Sequence, residues 1–204
     1  MVGERRNAKL RIRSILLDNR AAAPAGVNPW TLAWVTWLIC DAGLTDQSRW
    51  LVDRHLTRLR AIAAEVKAVE ERLARVTADD PLVGSLIAMR GIGLVTAVTI
   101  RAEIGRFDRF RTGKQAARFC GLTPRNVSSG QKQADGGLIK AGNPQLRATL
   151  IEAAHRLIRY DARWRALAAG MRGRGKAGSL VAAAVANRWV RGLFLQMQPA
   201  KLAA

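Results

Sequence analysis

Leu82 to Gly105 reads LVGSLIAMRGIGLVTAVTIRAEIG, and this stretch decides the fold. Leu82, Leu86 and Met89 recur at helical spacing and predict a short apolar helix. Gly91-Ile92-Gly93 then predicts a tight turn. Leu94, Ala97, Val98 and Ile100 begin a second helix, which Gly105 closes. Two helical stripes across a glycine turn, in a chain dominated by alanine, leucine and arginine, point to an all-α protein.

The pattern around Gly91 and Gly93 resembles the helix-hairpin-helix of DNA-binding proteins. In that motif the glycines expose backbone N–H groups, and the second helix directs its N-terminal dipole at a phosphate. The same glycines also suit a hairpin that merely turns the chain.

Charge supports the first reading. Of 204 residues, 34 are Lys or Arg and 15 are Asp or Glu, a formal net charge of +19. Residues 1–80 hold 13 basic against 10 acidic side chains, a net of +3, and residues 81–204 hold 21 against 5, a net of +16. Such asymmetry points to a polyanionic partner, foremost nucleic acid. No apolar run is long enough to span a bilayer and no signal peptide is visible, so a cytoplasmic location is expected. Cys40 and Cys120 both sit in apolar helical surroundings and are expected to be buried thiols; with His55 and His155 they lack zinc-ligand spacing.

Upstream, residues 4–19 predict a basic helix with Leu10, Ile12, Ile15, Leu16 and Leu17 on or near one side. Asn28-Pro29 predicts the next helix start, and Trp30, Trp34 and Trp37 recur along it. Leu59, Ile62, Val66, Val69, Leu73 and Val76 form a heptad seam, which His55 and Val52 extend backward. The seam at residues 52–76 suits a homo-oligomer or an intramolecular hairpin, with His55 setting the register. Three segments follow: an N-terminal helical arm over 1–50, a coiled-coil helix over 51–80, and a C-terminal domain over 81–198.

Downstream, Thr112 predicts the cap of a helix through Phe119, stopped by Gly121. Arg118 to Leu150, RFCGLTPRNVSSGQKQADGGLIKAGNPQLRATL, contains a long polar loop with Ser128, Ser129 and the cations Arg125, Lys132, Lys140 and Arg147. Hydroxyls among glycines and cations suit a phosphate; a solvated hairpin whose serines only close turns fits as well. Pro144 opens a helix through Ile158, with Arg147, Arg156, Arg159, Arg163 and Arg165 along it and its extension. Residues 170–178, GMRGRGKAG, read as a mobile basic linker before a last helix with Val181, Val185, Trp189, Leu193 and Met197 facing inward.

The ordered series GIG, RF, FCGLTP, SSG and IKAGNPQLRATLIEAA, over residues 82–197, resembles the C-terminal domain of one group of insertion-sequence transposases. These are serine-dependent, bridge-RNA-guided recombinases that join a RuvC-like DEDD domain to this helical domain through a coiled coil. The resemblance implies Ser129, or else Ser128, as the nucleophile on a DNA phosphodiester. Gly91, Gly93, Arg125, Lys132, Lys140 and Arg147 would bind DNA or RNA, and a guide RNA is a possible partner. It implies Mg2+ only with a DEDD domain, whose acidic quartet has no counterpart in the first 80 residues, so no cofactor is expected in this chain. An incomplete enzyme is the resulting expectation. A non-catalytic helix-hairpin-helix protein derived from a transposase is the alternative.

Overall fold

Helix-forming residues dominate the chain, and its described residues form nine α-helices and one short antiparallel ribbon in the computed structural model. It describes residues 1–126, 135–139 and 141–197. The all-α expectation holds. The chain folds as two compact units, Met1–Glu71 and Arg72–Ala204.

The first unit is built from α1 (Val2–Asp18), α2 (Leu32–Cys40) and most of α3 (Asp46–Val76). Ala8, Ile12 and Leu16, four residues apart, give α1 its buried face, and Leu10 and Leu17 are exposed. A narrow stripe is thus enough, and leucines off it carry no core role.

Helix α2 starts at Leu32, three residues later than Asn28-Pro29 predicts. Trp30 takes a left-handed backbone, φ +69°, which no helix accommodates. Thr31 caps the helix instead, accepting from Trp34 N at 3.3 Å. The three tryptophans form a packed face: Trp30 lies 4.6 Å from Trp34 and Trp34 lies 6.1 Å from Trp37, centroid to centroid. Cys40 is exposed, contrary to expectation. The buried positions of α2 are Trp34 and Leu38, and a residue two beyond Leu38 points to the opposite side.

On α3 the heptad seam is unevenly covered. Val52 and Ile62 on the seam are buried, as is Leu56 beside it, whereas Val69 is 43% and Val76 59% exposed. His55 is half-buried, and partial burial with the charges of Arg11 and Arg58 holds its imidazole below the ordinary value.

The second unit contains α4 (Pro81–Ile87), α5 (Leu94–Ile104), a 3-10 turn (Phe107–Arg109), α6 (Gly113–Phe119), β1 (Pro124–Asn126), β2 (Asp135–Leu138), α7 (Pro144–Tyr160), α8 (Ala162–Gly173) and α9 (Gly178–Gln196). Helix α9 is the centre. Val181, Val185, Trp189 and Leu193 are buried along it as the spacing predicts, and Met197 is buried just beyond. Helices α6, α7 and α8 pack on it, α5 packs on α7, and α4 packs on α5. Small residues set the closest approach. A Cβ on Gly113 would lie 2.9 Å from Arg191 O, and Ala116 and Ala117 continue that face of α6.

Two expectations are corrected here. The arginine-bearing extension of α7 is a separate helix, because Asp161 ends α7 through its N–H to Leu157 O and starts α8 by accepting from Arg163 N and Trp164 N. The supposed mobile linker is helical through Gly173. Its turn is hydrogen-bonded, with Gly175 N donating to Arg172 O and Lys176 N to Met171 O.

Candidate nucleic-acid interface

The hairpin begins at Asp80. Its carboxylate accepts from Leu82 N and Val83 N, capping α4, and from Arg101 Nε at 2.6 Å on α5. One side chain thereby fixes the start of the first helix to the side of the second. Partial burial pushes the Asp80 carboxyl up, but the hydrogen bond and charge of Arg101, with the N–H groups of Val83 and Leu82, outweigh it. The net position is below the ordinary 3.8. A carboxyl lowered on folding stabilises fully above its unfolded value and loses that contribution as pH falls through its folded value. Asp80→Asn keeps a capping side chain but loses the charge facing Arg101, so it should lower the thermal midpoint at pH 7 by an amount matching about 1 kcal/mol or less. The difference from the native chain should shrink towards zero at pH values below the folded carboxyl's. Thermal melts of both proteins across that range check it; a gap that persists in acid would rule the assignment out.

The two hairpin glycines are placed differently. Gly91 has φ +94°, and a Cβ there would meet Tyr160 Cδ2 at 3.3 Å and Arg156 Cβ at 3.4 Å. Its lack of a side chain serves close packing on α7. Gly93 is the N-cap of α5, with no side chain closing the helix and nothing within 4 Å of its Cβ position. The first N–H groups of α5 are therefore open on that side, as a phosphate contact would need.

The polar loop has a built neck. Gly121, φ +66°, ends α6, and a Cβ there would stand 2.4 Å from Ala141 O and 2.6 Å from Arg147 Nη1. Gly142, φ +86°, approaches from the other side, its Cβ position 2.4 Å from Phe119 O. The end of α6 and the approach to α7 therefore touch backbone to backbone. Above them β1 and β2 pair, Pro124 with Leu138 and Asn126 with Asp135. Ile139 N donates to Thr123 O at 2.8 Å. Asn143 caps α7 by accepting from Gln145 N and Leu146 N. Arg147 is half-buried at the neck, its Nη1 3.5 Å from Ala141 O, and Arg125 is exposed on β1. Ser128, Ser129, Lys132 and Lys140 lie outside the described residues; the first three fall between β1 and β2 in the chain.

Beside the neck, buried Cys120 has its thiol pushed up to about 12 by burial, so it stays protonated near neutrality and offers no nucleophile. Among the described residues no group of three or more His, Cys, Asp or Glu could hold a metal ion, so the Mg2+ of the DEDD resemblance finds no fit there.

One feature is not legible in the sequence. A cleft of about 1250 Å³ runs between α6 and α9 and reaches the ribbon, touching Thr123, Pro124 and Leu138. Lys114, Arg118, Lys176, Arg188 and Arg191 line it, and among the described residues no carboxylate does. A second cavity of about 1010 Å³ shares Lys114, Arg188 and Arg191 and adds Arg111 and Arg163, again with no acid among the described residues. The pairs Lys114/Arg118 and Arg188/Arg191 stand at helical i,i+4 and i,i+3 spacing, so the sequence places each pair on one helix face but carries no sign that the two faces meet.

Residues 84–169 match the family described as "Transposase IS116/IS110/IS902 family". A Pseudomonas aeruginosa protein described as "Probable family 20 transposase" is 34% identical over 148 residues, 67% of this chain and 43% of its own length. The transposase for insertion sequence element IS1111A of Coxiella burnetii is 31% identical over 118 residues, 58% of this chain and 32% of its own. The transposase for insertion sequence element IS1328 of Yersinia enterocolitica is 27% identical over 158 residues, 76% of this chain and 46% of its own. The chain thus spans between about a third and just under half of the length of these relatives. Among the described residues no helix is long and apolar enough to cross a membrane.

Proposed function

With a domain of the IS116/IS110/IS902 transposase family over residues 84–169 as the premise, we propose that this chain carries the serine-bearing, DNA-binding part of a recombinase. The observation that carries the reading is the neck. Two glycines in left-handed backbone clamp the ends of the Ser-Ser-Gly loop together, with Arg147 beside them and a cation-lined cleft adjoining. Simple helical packing has no need of such a loop.

In the proposed reaction the Ser129 hydroxyl attacks a DNA phosphorus, with Ser128 the second choice. A base takes the serine proton, a serine–phosphate bond forms, and the displaced strand oxygen leaves as a hydroxyl after taking up a proton. Attack by a strand hydroxyl on the phosphoserine reverses these steps and reseals the chain, so no bond energy is lost. Arg125, Lys132, Lys140 and Arg147 would stabilise charge on the phosphate oxygens, while Gly93 and the start of α5 hold the neighbouring backbone. Mg2+, in the DEDD resemblance, would supply Lewis-acid activation from that other domain. No step here depends on residues of this chain ligating it. A guide RNA is a further proposed partner, and the partly open seam of α3 is proposed to join copies of the chain, which sedimentation velocity of the full chain would count.

The test is a covalent one. A protein–DNA adduct stable to denaturant should form with the native sequence and be lost entirely in Ser129→Ala, while salt-sensitive DNA binding stays nearly unchanged. The adduct should form with this chain alone or once a DEDD domain is supplied. If neither condition yields it, the reading falls back to a nucleic-acid-binding protein without catalysis.

A further inference from the structure

We infer that the cleft between α6 and α9 holds a single strand of DNA leading away from the serine loop. The inference rests on the recombinase reading for the identity of the polymer and on the cleft itself for its form. The cleft is larger than the few hundred to about 1,000 Å³ typical of a small-molecule pocket. Its lining includes Lys176 at the turn between α8 and α9 as well as Thr123 and the ribbon residues Pro124 and Leu138.

Its charge is one-sided. Lys114, Arg118, Lys176, Arg188 and Arg191 are all exposed, and among the described residues none takes part in an ion pair. Five cations gathered without a carboxylate repel one another. A polyphosphate backbone would relieve that repulsion and release its counterions.

The floor decides between a duplex and a single strand. Leu122, Met171, Leu180 and Ala183 line the cleft between its cations, and Leu180 is 49% exposed. A duplex turns its phosphates outward and keeps base faces stacked inside, so it has nothing to lay on an apolar floor. A single strand presents both phosphates and base faces. Guanidinium planes such as Arg118, Arg188 and Arg191 can also take a stacked base. Asn187 is held on the same wall, its Nδ2 donating to Leu122 O at 3.1 Å, so the floor is tethered to α9. The cleft adjoins the ribbon that flanks the serine loop in the chain, so a strand held beside the ribbon can continue into it.

The experiment uses the full chain and fluorescent DNA of about 20 nucleotides, single-stranded or duplex, read by anisotropy across a salt series. Replacing Lys114, Arg118, Arg188 and Arg191 together by Gln should weaken single-strand binding on the order of 100-fold. The slope of log K against log salt should fall by about 3, roughly 0.7 for each phosphate no longer neutralised. Duplex binding should change less than about tenfold, because the α5 start is intact. Leu180→Ser should weaken the single strand and leave the salt slope unchanged. Four Arg→Gln changes at Arg13, Arg60, Arg72 and Arg75 should leave the single strand bound. The inference is overturned if that distant set costs as much, if duplex suffers equally, or if Leu180→Ser has no effect. It is also overturned if RNA of the same sequence binds about tenfold tighter than DNA, or if polyglutamate competes as well as the oligonucleotide. Circular dichroism of each variant confirms folding. The adduct assay of Ser129 scores the recombinase reading separately, so either can fail without the other.

Discussion

Among the described residues, Gly142→Ala should cost the second unit more stability than any other glycine-to-alanine change, and Gly121→Ala nearly as much. At both positions the backbone is left-handed, which alone costs an L-residue about 1–3 kcal/mol where the surroundings enforce it. The new Cβ would also sit 2.4 Å from a carbonyl oxygen, Phe119 O in one case and Ala141 O in the other. A carbonyl in the neck cannot swing aside like the end of a lysine. Moving it separates the end of α6 from the approach to α7. The expected result is a large drop in the urea midpoint, or failure to reach the native state. Gly93→Ala is the control, since its φ is −97° and its Cβ position is empty to 4 Å. Its midpoint should shift by no more than a few tenths of a molar, and its effect should appear in DNA binding instead. Equal midpoints for all three variants would refute the account of the neck.

Trp189→Ala should have the second large effect. The ring is 4% exposed in the middle of α9, between the buried Val185 and Leu193, on a helix against which α6, α7 and α8 all pack. Truncating a buried tryptophan removes its transfer energy and leaves a cavity that rigid helices close only in part, about 3–5 kcal/mol in all. That is a large share of the roughly 5–15 kcal/mol that holds a domain folded. A fall in melting temperature on the order of 10 °C follows. Trp50, 57% exposed on α3, is the comparison, and its truncation should cost within about 1 kcal/mol. A core variant no less stable than the surface one would show that α9 is not the centre of the unit.

What is legible in the sequence is local. The glycine turn between α4 and α5, Thr112 before α6, Asn143-Pro144 before α7 and the apolar stripe of α9 each carry their cause within a few residues. Differences arise where a neighbour in space overrules the local signal. Asn28-Pro29 has the chemistry of a helix start, but contact of Trp30 with the tilted Trp34 ring and with the Lys9 ammonium accompanies a left-handed turn that delays it. Asp161 is hidden inside a run of arginines and leucines that looks continuous. Apolar neighbours in sequence suggest burial for Cys40, but the face it occupies on α2 decides its exposure. The cleft is invisible for a different reason. Its cations come from α6, the turn before α9, and α9 itself, and only folding brings residues 114, 176 and 188 to one place.

The joint at Asp161 has one more implication. One residue ends α7 and begins α8, so the connection contains no spare residue and no slack. Neither rod can be lengthened or swivelled without breaking a cap, and a local insertion would be felt along both. The guanidinium-bearing positions 156 and 159 on one side and 163 and 165 on the other are therefore phased like teeth on a single gear. Their spacing is a property of the main chain, set before any long side chain chooses a rotamer.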